Sequence, residues 1–251
     1  MFECLLNKIS HSRFADNFII KGGLLISSIV GLETRTTMDM DATLVHMTLS
    51  EESILNAMRE ITDTQTSDNV SFNILSLEAI RKNDVYGGFC LRIDALYESI
   101  LTSLSVDIST GDSIVPAPMD FGYHRIFDPN EIIPIHSYPI ETILAEKLET
   151  IITRSVLNSR PRDFYDVYIL TKTVPFDKAS LKQALLATAE HRHTREIIEK
   201  ESQNRLAVIE SSVELQMQWK KYQAKFKYAK NISFEDTVRA VRDLFSAIGK
   251  A

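Results

Sequence analysis

The sequence predicts a mixed α/β domain, built on a mixed sheet, followed by a helical C-terminal domain. Short runs in which apolar and polar residues alternate, as in strands, recur up to about residue 110. From Pro139 onward, apolar residues recur at intervals of three and four, as in amphipathic helices. A proline-rich segment lies between the two patterns. We therefore predict one domain at residues 1–135 and a second at 136–251.

Composition describes an ordinary globular protein. The chain has 251 residues, of which 44% are hydrophobic and 25% charged, enough to build a sizeable core. It shows neither a signal-peptide pattern nor an apolar run near the 18 residues of a membrane span. The two cysteines, Cys4 and Cys90, form no metal-ligand pattern. We expect a cytoplasmic protein with reduced thiols and no membrane partner.

Charge is distributed unevenly. Residues 1–140 hold 9 Lys and Arg against 19 Asp and Glu, whereas residues 141–251 hold 19 against 15. The first part is therefore acidic and the second basic, an arrangement that suits an enzyme handling a nucleotide and a polyanion.

The spacing of apolar residues in the N-terminal part of the chain predicts alternating helices and strands. A first amphipathic helix covers residues 2–16, and Phe18–Leu44 contains a strand, a glycine pair, a buried helix and a second strand. A further helix from an N-cap at Ser50 to Ile61 precedes three strands. These strands are predicted at 70–80, 88–97 and 103–109.

In the later part of the chain, proline density predicts a surface linker, and the spacing of apolar residues after it predicts helices. Pro116–Pro139 is expected to be an extended segment crossing the surface between the domains, with His124 and His136 as loop histidines. A strong amphipathic helix starts near Ile140, and later helices are predicted at 177–190, 192–203, 205–229 and 233–248. Residues 217–230 interleave lysines with aromatics. This stretch is either a site for RNA backbone and an unstacked base, or a helix whose aromatics face the bundle.

Two aspartates suggest a metal site. Asp39 and Asp41 stand at i and i+2 on a predicted strand, so their carboxylates share one face and repel each other unless a cation lies between them. Mg²⁺ favours such oxygen ligands together with substrate phosphates. The Gly22–Gly23 pair before a helix offers backbone N–H groups to an anion. The segment therefore predicts a nucleotide site.

A third carboxylate and a lysine complete the candidates. Alternation places Asp107 opposite its apolar neighbours, and its rival is Asp94, which could equally be an edge-strand acid paired with Arg92 or solvent. Lys147 falls on or beside the buried face of its helix, where its ammonium needs a phosphate or carboxylate unless it reaches solvent.

Two motifs resemble those of a known family. Gly22-Gly23, Arg35-Thr36-Thr37 and Asp39-Met40-Asp41 resemble the first motif of the DNA-polymerase-β-like nucleotidyltransferases, in the version of the AbiEii/AbiGii toxin branch. The segments E-x-x-x-A-x-K-L (141–148) and R-x-x-D-x-x-D (160–166) resemble the second signature of that branch.

The resemblance implies a mixed-sheet nucleotidyltransferase domain whose cleft also receives Lys147 and Asp166 from the helical domain. It implies transfer of NMP from an NTP, with release of pyrophosphate, to an acceptor that is expected to be the 3′ end of tRNA. Such a toxin blocks translation in a toxin–antitoxin or phage-defence system, so a cognate antitoxin is expected. Mg²⁺, or Mn²⁺, would be the cofactor. The implied metal ligands are Asp39, Asp41 and Asp107; the implied catalytic residues are these three with Lys147 and Asp166; and the implied nucleotide ligands are Gly22, Gly23, Arg35, Thr36, Lys147 and Asp163.

Three alternatives remain open from the residues. The same fold could move the nucleotide to a protein hydroxyl. The same cleft could instead transfer the γ-phosphate, as in a phosphotransferase. The third alternative, a non-catalytic nucleotide-binding module, is disfavoured by the three acids Asp39, Asp41 and Asp107, since binding alone does not need two metals.

Overall fold

The computed structural model of the protein describes residues 1–80 and 87–249. Contacts along the backbone divide the chain into two compact units. The first comprises Met1–Ser28, Thr36–Asp112 and Pro118–Tyr138, and the second comprises Ile29–Arg35, Ser113–Ala117 and the chain from Pro139 onward. The last change from the first unit to the second therefore lies after Tyr138, whereas the sequence predicted it after residue 135. Two short segments from earlier in the chain also belong to the second unit.

Within the described residues, the first unit contains a single seven-stranded sheet in the order β3-β4-β5-β2-β1-β7-β6. Strands β2 and β5 are parallel, as are β1 and β7, while the other neighbours are antiparallel. The predicted mixed sheet is thus confirmed. The strands are β1 (Phe18–Lys21), β2 (Asp39–Leu44), β3 (Ser71–Ile80), β4 (Gly88–Tyr97), β5 (Ile100–Thr110), β6 (Met119–His124) and β7 (Ile132–Ser137).

The central strands separate an apolar face from a polar one. On β2, Met40 and Ala42 are fully buried, whereas Asp39 and Asp41 point to the opposite face. Strand β5 follows the same alternation, with Val106 buried. The α-helices in the described residues of this unit are α1 (Phe2–Ser10), α2 (Gly22–Val30), which continues into the second unit, and α3 (Glu51–Asp63). Helix α1 contacts β7, and α3 contacts β3.

The prediction of a surface linker at Pro116–Pro139 is wrong. Instead of crossing the surface, this segment contains the strands β6 and β7, joined by residues 125–131, and both His124 and His136 lie in these strands rather than in loops. Pro134 misled the prediction because proline has no N–H to donate to a ladder. It is tolerated here because β1 pairs with β7 only at His136 and Ser137, so at Pro134 the strand has a neighbour on one side alone.

The described part of the second unit is helical after Pro139. A predicted helix over 205–229 is wrong, because it breaks at Ser212 into α8 and α9. The hydroxyl of Ser212 accepts a hydrogen bond from the Leu215 N–H and so begins a new helix. The helices are α4 (Ile140–Arg154), α5 (Pro161–Thr173), α6 (Lys178–His191), α7 (Arg195–Lys200), α8 (Ser202–Ser211), α9 (Val213–Lys225) and α10 (Phe234–Gly249).

Aromatic side chains build much of the core of this unit. Trp219 and Tyr222 are buried, and the ring of Trp219 lies 5.4 Å from that of Tyr222. Phe234 of α10 packs edge-on against Phe164 of α5. The aromatics of α9 therefore face the bundle and are not presented to a base. None of the helices in residues 1–80 and 87–249 has both the length and the apolar character needed to cross a bilayer.

Candidate active site

Three carboxylates lie on the polar face of the sheet in the first unit. Asp41 of β2 is the register partner of Asp107 on the adjacent parallel strand β5, and Asp39 is the partner of Ser105. Neighbouring strands lie about 4.8 Å apart, so Asp41 and Asp107 are side by side. Asp39 is exposed, while Asp41 and Asp107 are half-buried. The structure thus places the three acids that the sequence singled out on one face of two adjacent strands.

The carboxylate of Asp41 is packed against the first residue of α2. Gly22 has a φ of +68°, and a Cβ added to it would lie 2.0 Å from Oδ2 of Asp41. The absence of a side chain at Gly22 is therefore what makes room for this carboxylate. The helix N-terminus also favours a negative charge at this position.

Replacing Gly22 by alanine should displace Asp41. We expect Gly22→Ala to lower nucleotidyl transfer on the order of 100-fold, which corresponds to about 3 kcal/mol of transition-state stabilisation, because Cβ and carboxylate cannot occupy the same space. Steady-state kinetics would measure this loss.

The matched control is Gly31→Ala. Gly31 also has a positive φ, +89°, but a Cβ added there meets nothing within 4 Å. Both variants strain the backbone, and only Gly22→Ala reaches Asp41. Equal losses of activity in the two variants would contradict the steric argument.

The rival carboxylate Asp94 has a different role. It accepts a hydrogen bond from the Ser103 hydroxyl at 2.6 Å, and Ser103 is its register partner. Ser103 precedes Asp107 by four residues, or about 13 Å along the strand. Asp94 thus accepts a hydrogen bond from a neighbouring hydroxyl on the same face of the sheet, away from Asp41.

The register partner of Asp107 on β4 is Cys90, whose pKa is raised by burial and by the neighbouring Asp107.

The donor set suits Mg²⁺. The described residues contain no group of three or more His, Cys, Asp or Glu side chains close enough to hold a metal unaided. Mg²⁺ usually binds through one or two carboxylates, with water and substrate phosphates completing its shell. Asp41 and Asp107, adjacent and half-buried, with Asp39 exposed beside them, fit that type of site.

A buried polar network adjoins the carboxylates and was not anticipated from the sequence. The ammonium of Lys21 is ion-paired with Asp112 and donates to the Ser109 hydroxyl at 2.8 Å. Thr43 donates to Asp112 at 2.6 Å, and the Tyr138 hydroxyl does so at 3.0 Å. The signal that could have revealed it is a lysine ending an otherwise apolar strand, FIIK.

The network fixes the charge state of Asp112. Burial alone would raise the pKa of this carboxyl, but the Lys21 ammonium and the hydroxyl donors outweigh burial and hold the pKa well below its usual range. Lys21 on β1 is the register partner of Asp41, and Thr43 lies two residues beyond Asp41 on β2. The network therefore joins β1 and β2 next to Asp41.

Removing one hydroxyl should loosen this network. We expect Tyr138→Phe to lower the free energy of unfolding of the first unit by about 1–2 kcal/mol, since the buried Asp112 loses one donor. Thermal unfolding followed by circular dichroism would measure the change. Tyr97→Phe, at a site that is 40% exposed, serves as the control and should change nothing measurable.

The second unit gathers four charged side chains from both sequence motifs. The ammonium of Lys147 on α4 lies 2.6 Å from Asp163 and 3.2 Å from Asp166 on α5. Nε of Arg35 lies 2.7 Å from the other oxygen of Asp166. Arg162, which lies beside Asp163 in the second motif, is exposed. We call Arg35, Lys147, Asp163 and Asp166 the charged quartet.

The quartet is mostly buried, and its charges shift the pKa values of Asp166 and Lys147. Burial would raise the pKa of Asp166, but Lys147 and Arg35 outweigh it and lower that pKa. Burial would likewise lower the pKa of Lys147, and the two aspartates instead raise it. Asp166 is fully buried, whereas one fifth of the Lys147 side chain is exposed. Within the described residues, the second oxygen of Asp163 is buried without a hydrogen-bond partner, so it could accept one from a ligand or water.

The predicted nucleotide ligands are therefore in different surroundings. Arg35 is 3% exposed and engaged with Asp166, whereas Thr36 is exposed. Gly22 and Gly23 form the first residues of α2, as predicted. Their roles toward a nucleotide stay predictions.

The sequence as a whole decides the family. The description "Nucleotidyl transferase AbiEii toxin, Type IV TA system" belongs to the family whose model matches residues 4–243. The chain belongs to the AbiEii family. Membership of a toxin–antitoxin family implies a partner antitoxin for this AbiEii protein. None of the curated proteins matches the chain in sequence.

Solved structures support the fold. A Helicobacter pylori protein described as a nucleotidyltransferase shares 15% identity with this AbiEii chain, with a TM-score of 0.50 over 99% of this chain and 92% of that one. The protein JHP933 from Helicobacter pylori shares 14% identity, with a TM-score of 0.50 over 99% and 89% of the two chains. At these identities the likeness concerns the fold alone.

Proposed function

We propose that this AbiEii protein transfers NMP from an NTP to an acceptor hydroxyl, the 3′ end of tRNA, and releases pyrophosphate. The observation that supports the proposal best is the register of Asp41 with Asp107 on adjacent parallel strands, with Asp39 on the same face. The family and fold support nucleotidyl transfer in general, and the proposal adds the substrate, the metal and the acceptor.

Asp39, Asp41 and Asp107 are the residues that would hold Mg²⁺. When bound, this ion would neutralise phosphate charge and stabilise the negative charge on the attacking and leaving oxygens. Of the three, Asp107 is also the proposed proton acceptor, because its carboxylate is half-buried beside Asp41. Gly22 contributes by keeping Asp41 in place.

The reaction balances as a substitution at phosphorus. The acceptor hydroxyl oxygen forms a bond to the α-phosphorus, and the bond from that phosphorus to the bridging oxygen of the β-phosphate breaks. Pyrophosphate leaves with the electron pair of that bond. The hydroxyl proton passes to the Asp107 carboxylate and from there to solvent.

The other predicted ligands enter the proposal on their chemistry. The Gly22 and Gly23 amides, at the start of a helix, are suited to a phosphate oxygen, and Arg35 and Thr36 follow in the same motif. Lys147 is proposed as a phosphate-binding cation, because its ammonium is ionised and partly exposed. Asp163 and Asp166 are proposed to orient it, since both contact its nitrogen.

The proposed consequence is growth arrest. A tRNA whose 3′ end carries extra nucleotides cannot be aminoacylated, so translation stops. This is the proposed toxic activity, and the family's antitoxin would be the partner that relieves it.

The test uses purified protein, total RNA, Mg²⁺ and each α-³²P-labelled NTP in turn, beside an Asp41→Ala control. We expect label in a tRNA-sized band, absent from the control, and the labelled NTP identifies the preferred base. Label in protein would instead support protein nucleotidylation. Transfer of a γ-³²P label to RNA or protein without any α-label would support a phosphotransferase and overturn the proposal.

A further inference from the structure

Five lysines form an exposed basic surface on the second unit. Lys220, Lys221 and Lys225 lie on α9, and Lys227 and Lys230 follow it; all five are exposed. They stand in a run from residue 215 to residue 234 that contains no acid. We call these five residues the α9 lysine surface.

The α9 lysine surface differs from several other exposed cations of this unit, which have counterions. Arg195, Lys200 and Arg239 each pair with a glutamate of their own helix, at 3.0, 2.8 and 3.1 Å. Among the residues that the structure describes, none of the five lysines forms an ion pair. Exposed like charges without counterions repel one another, so a polyanion that binds here relieves this repulsion as well as gaining attraction.

The lysines stand on a rigid base. The Trp219 indole donates to the Ile232 carbonyl at 2.9 Å, and the Gln223 amide donates to the same carbonyl at 2.8 Å. The Tyr222 and Tyr228 hydroxyls are 3.0 Å apart. These contacts fold residues 226–232 back against α9, so Lys227 and Lys230 are fixed relative to the helix.

We propose that the α9 lysine surface binds the phosphate backbone of the acceptor RNA; this inference rests on the proposed function. Uncompensated lysines attract phosphates without reading sequence. A bilayer is disfavoured as the occupant because the aromatic side chains of α9, Trp219 and Tyr222, are buried and offer no anchor to lipid.

The experiment measures binding directly. Fluorescently labelled tRNA is titrated with the full chain, without nucleotide, at salt concentrations from 50 to 200 mM, and its anisotropy is followed. The variant K220Q/K221Q/K225Q is expected to bind about 10–100-fold more weakly. The slope of log affinity against log salt should also be shallower by about 2–3, because each phosphate contact contributes about 0.7–0.9.

The matched control is R195Q/K200Q/R239Q. It removes the same net charge from the same unit, but from cations that have counterions. It should bind tRNA within about twofold of the unaltered chain, because paired cations attract a polyanion only weakly. Because the three substituted lysines form no ion pair with the described residues and repel one another, the lysine variant should unfold at a melting temperature no lower than that of the unaltered chain.

Several outcomes would contradict the proposal that the α9 lysine surface binds RNA. These are unchanged affinity and slope in the lysine variant, an equal loss of affinity in the control, or lysine-dependent binding to anionic phosphatidylserine vesicles with tRNA binding unchanged.

Transfer kinetics separate this proposal from the proposed function. If transfer occurs but the lysine variant keeps its KM for tRNA, the surface fails while the function stands. If no transfer occurs yet binding depends on these lysines, the surface stands alone.

Discussion

Asp41→Asn should reduce nucleotidyl transfer by at least about 10³-fold, equivalent to roughly 4 kcal/mol of transition-state stabilisation. The substitution keeps the shape of the side chain beside Gly22 and removes its charge. Asp41 is half-buried, and its register partner on the adjacent strand is Asp107, so the substitution leaves the proposed metal position with one fewer charged oxygen ligand. Incorporation of α-³²P label into tRNA at saturating substrate would measure the loss.

The control for this prediction is Asp94→Asn. Asp94 lies on the same face of the sheet, and its hydrogen bond within the described residues is the one that it accepts from the Ser103 hydroxyl. Its replacement should leave the rate within about twofold of the unaltered protein, corresponding to at most about 0.5 kcal/mol. If Asp94→Asn lost activity and Asp41→Asn kept it, the assignment of the carboxylate site would be reversed.

The second large effect concerns stability. We expect Asp166→Asn to lower the free energy of unfolding of the second unit by about 3–5 kcal/mol, because the Arg35 guanidinium and the Lys147 ammonium both lose the charge of this fully buried carboxylate. Trp219 is buried in this unit and is the only tryptophan of the chain, so its fluorescence in urea reports the unfolding of this unit.

The matched control is Glu199→Gln, which breaks an exposed ion pair with Arg195 in the same unit. We expect a cost of about 0.5 kcal/mol or less, since exposed pairs contribute little. A cost for Asp166→Asn no greater than that of Glu199→Gln would show that the quartet does not hold the unit together.

The same group predicts how stability depends on pH. The pKa of Asp166 is lowered in the folded protein, so its contribution is complete above the pKa of an unfolded aspartate, about 3.9, and is lost as the pH falls through the lower folded value. The difference in stability between the unaltered protein and Asp166→Asn should therefore be constant from about pH 5 to 8 and should shrink below about pH 4. Urea titrations of Trp219 fluorescence at pH 7, 5 and 3 would measure it, and a constant difference down to pH 3 would contradict the shift.

The sequence alone determined the features that depend on local spacing. Period-two alternation predicted that Asp39 and Asp41 share a face and that Asp107 points away from Val106, and the sheet register agrees with both. Period-3.6 spacing and the N-cap at Ser50 predicted α4 and α3. Strands and helices are recognisable in this way because side-chain direction follows from backbone geometry over a few residues.

Only the tertiary structure decided the partners that lie far apart in the chain. Arg35 and Asp166 are 131 residues apart, and each occurs in a motif that gives no sign of the other. The Lys21–Asp112 pair likewise depends on which segments become neighbours in the sheet. The same is true of β6 and β7, which lie in the segment predicted as a linker. Burial makes such charges costly unless they are paired, but it does not specify from sequence which partner will be brought within reach.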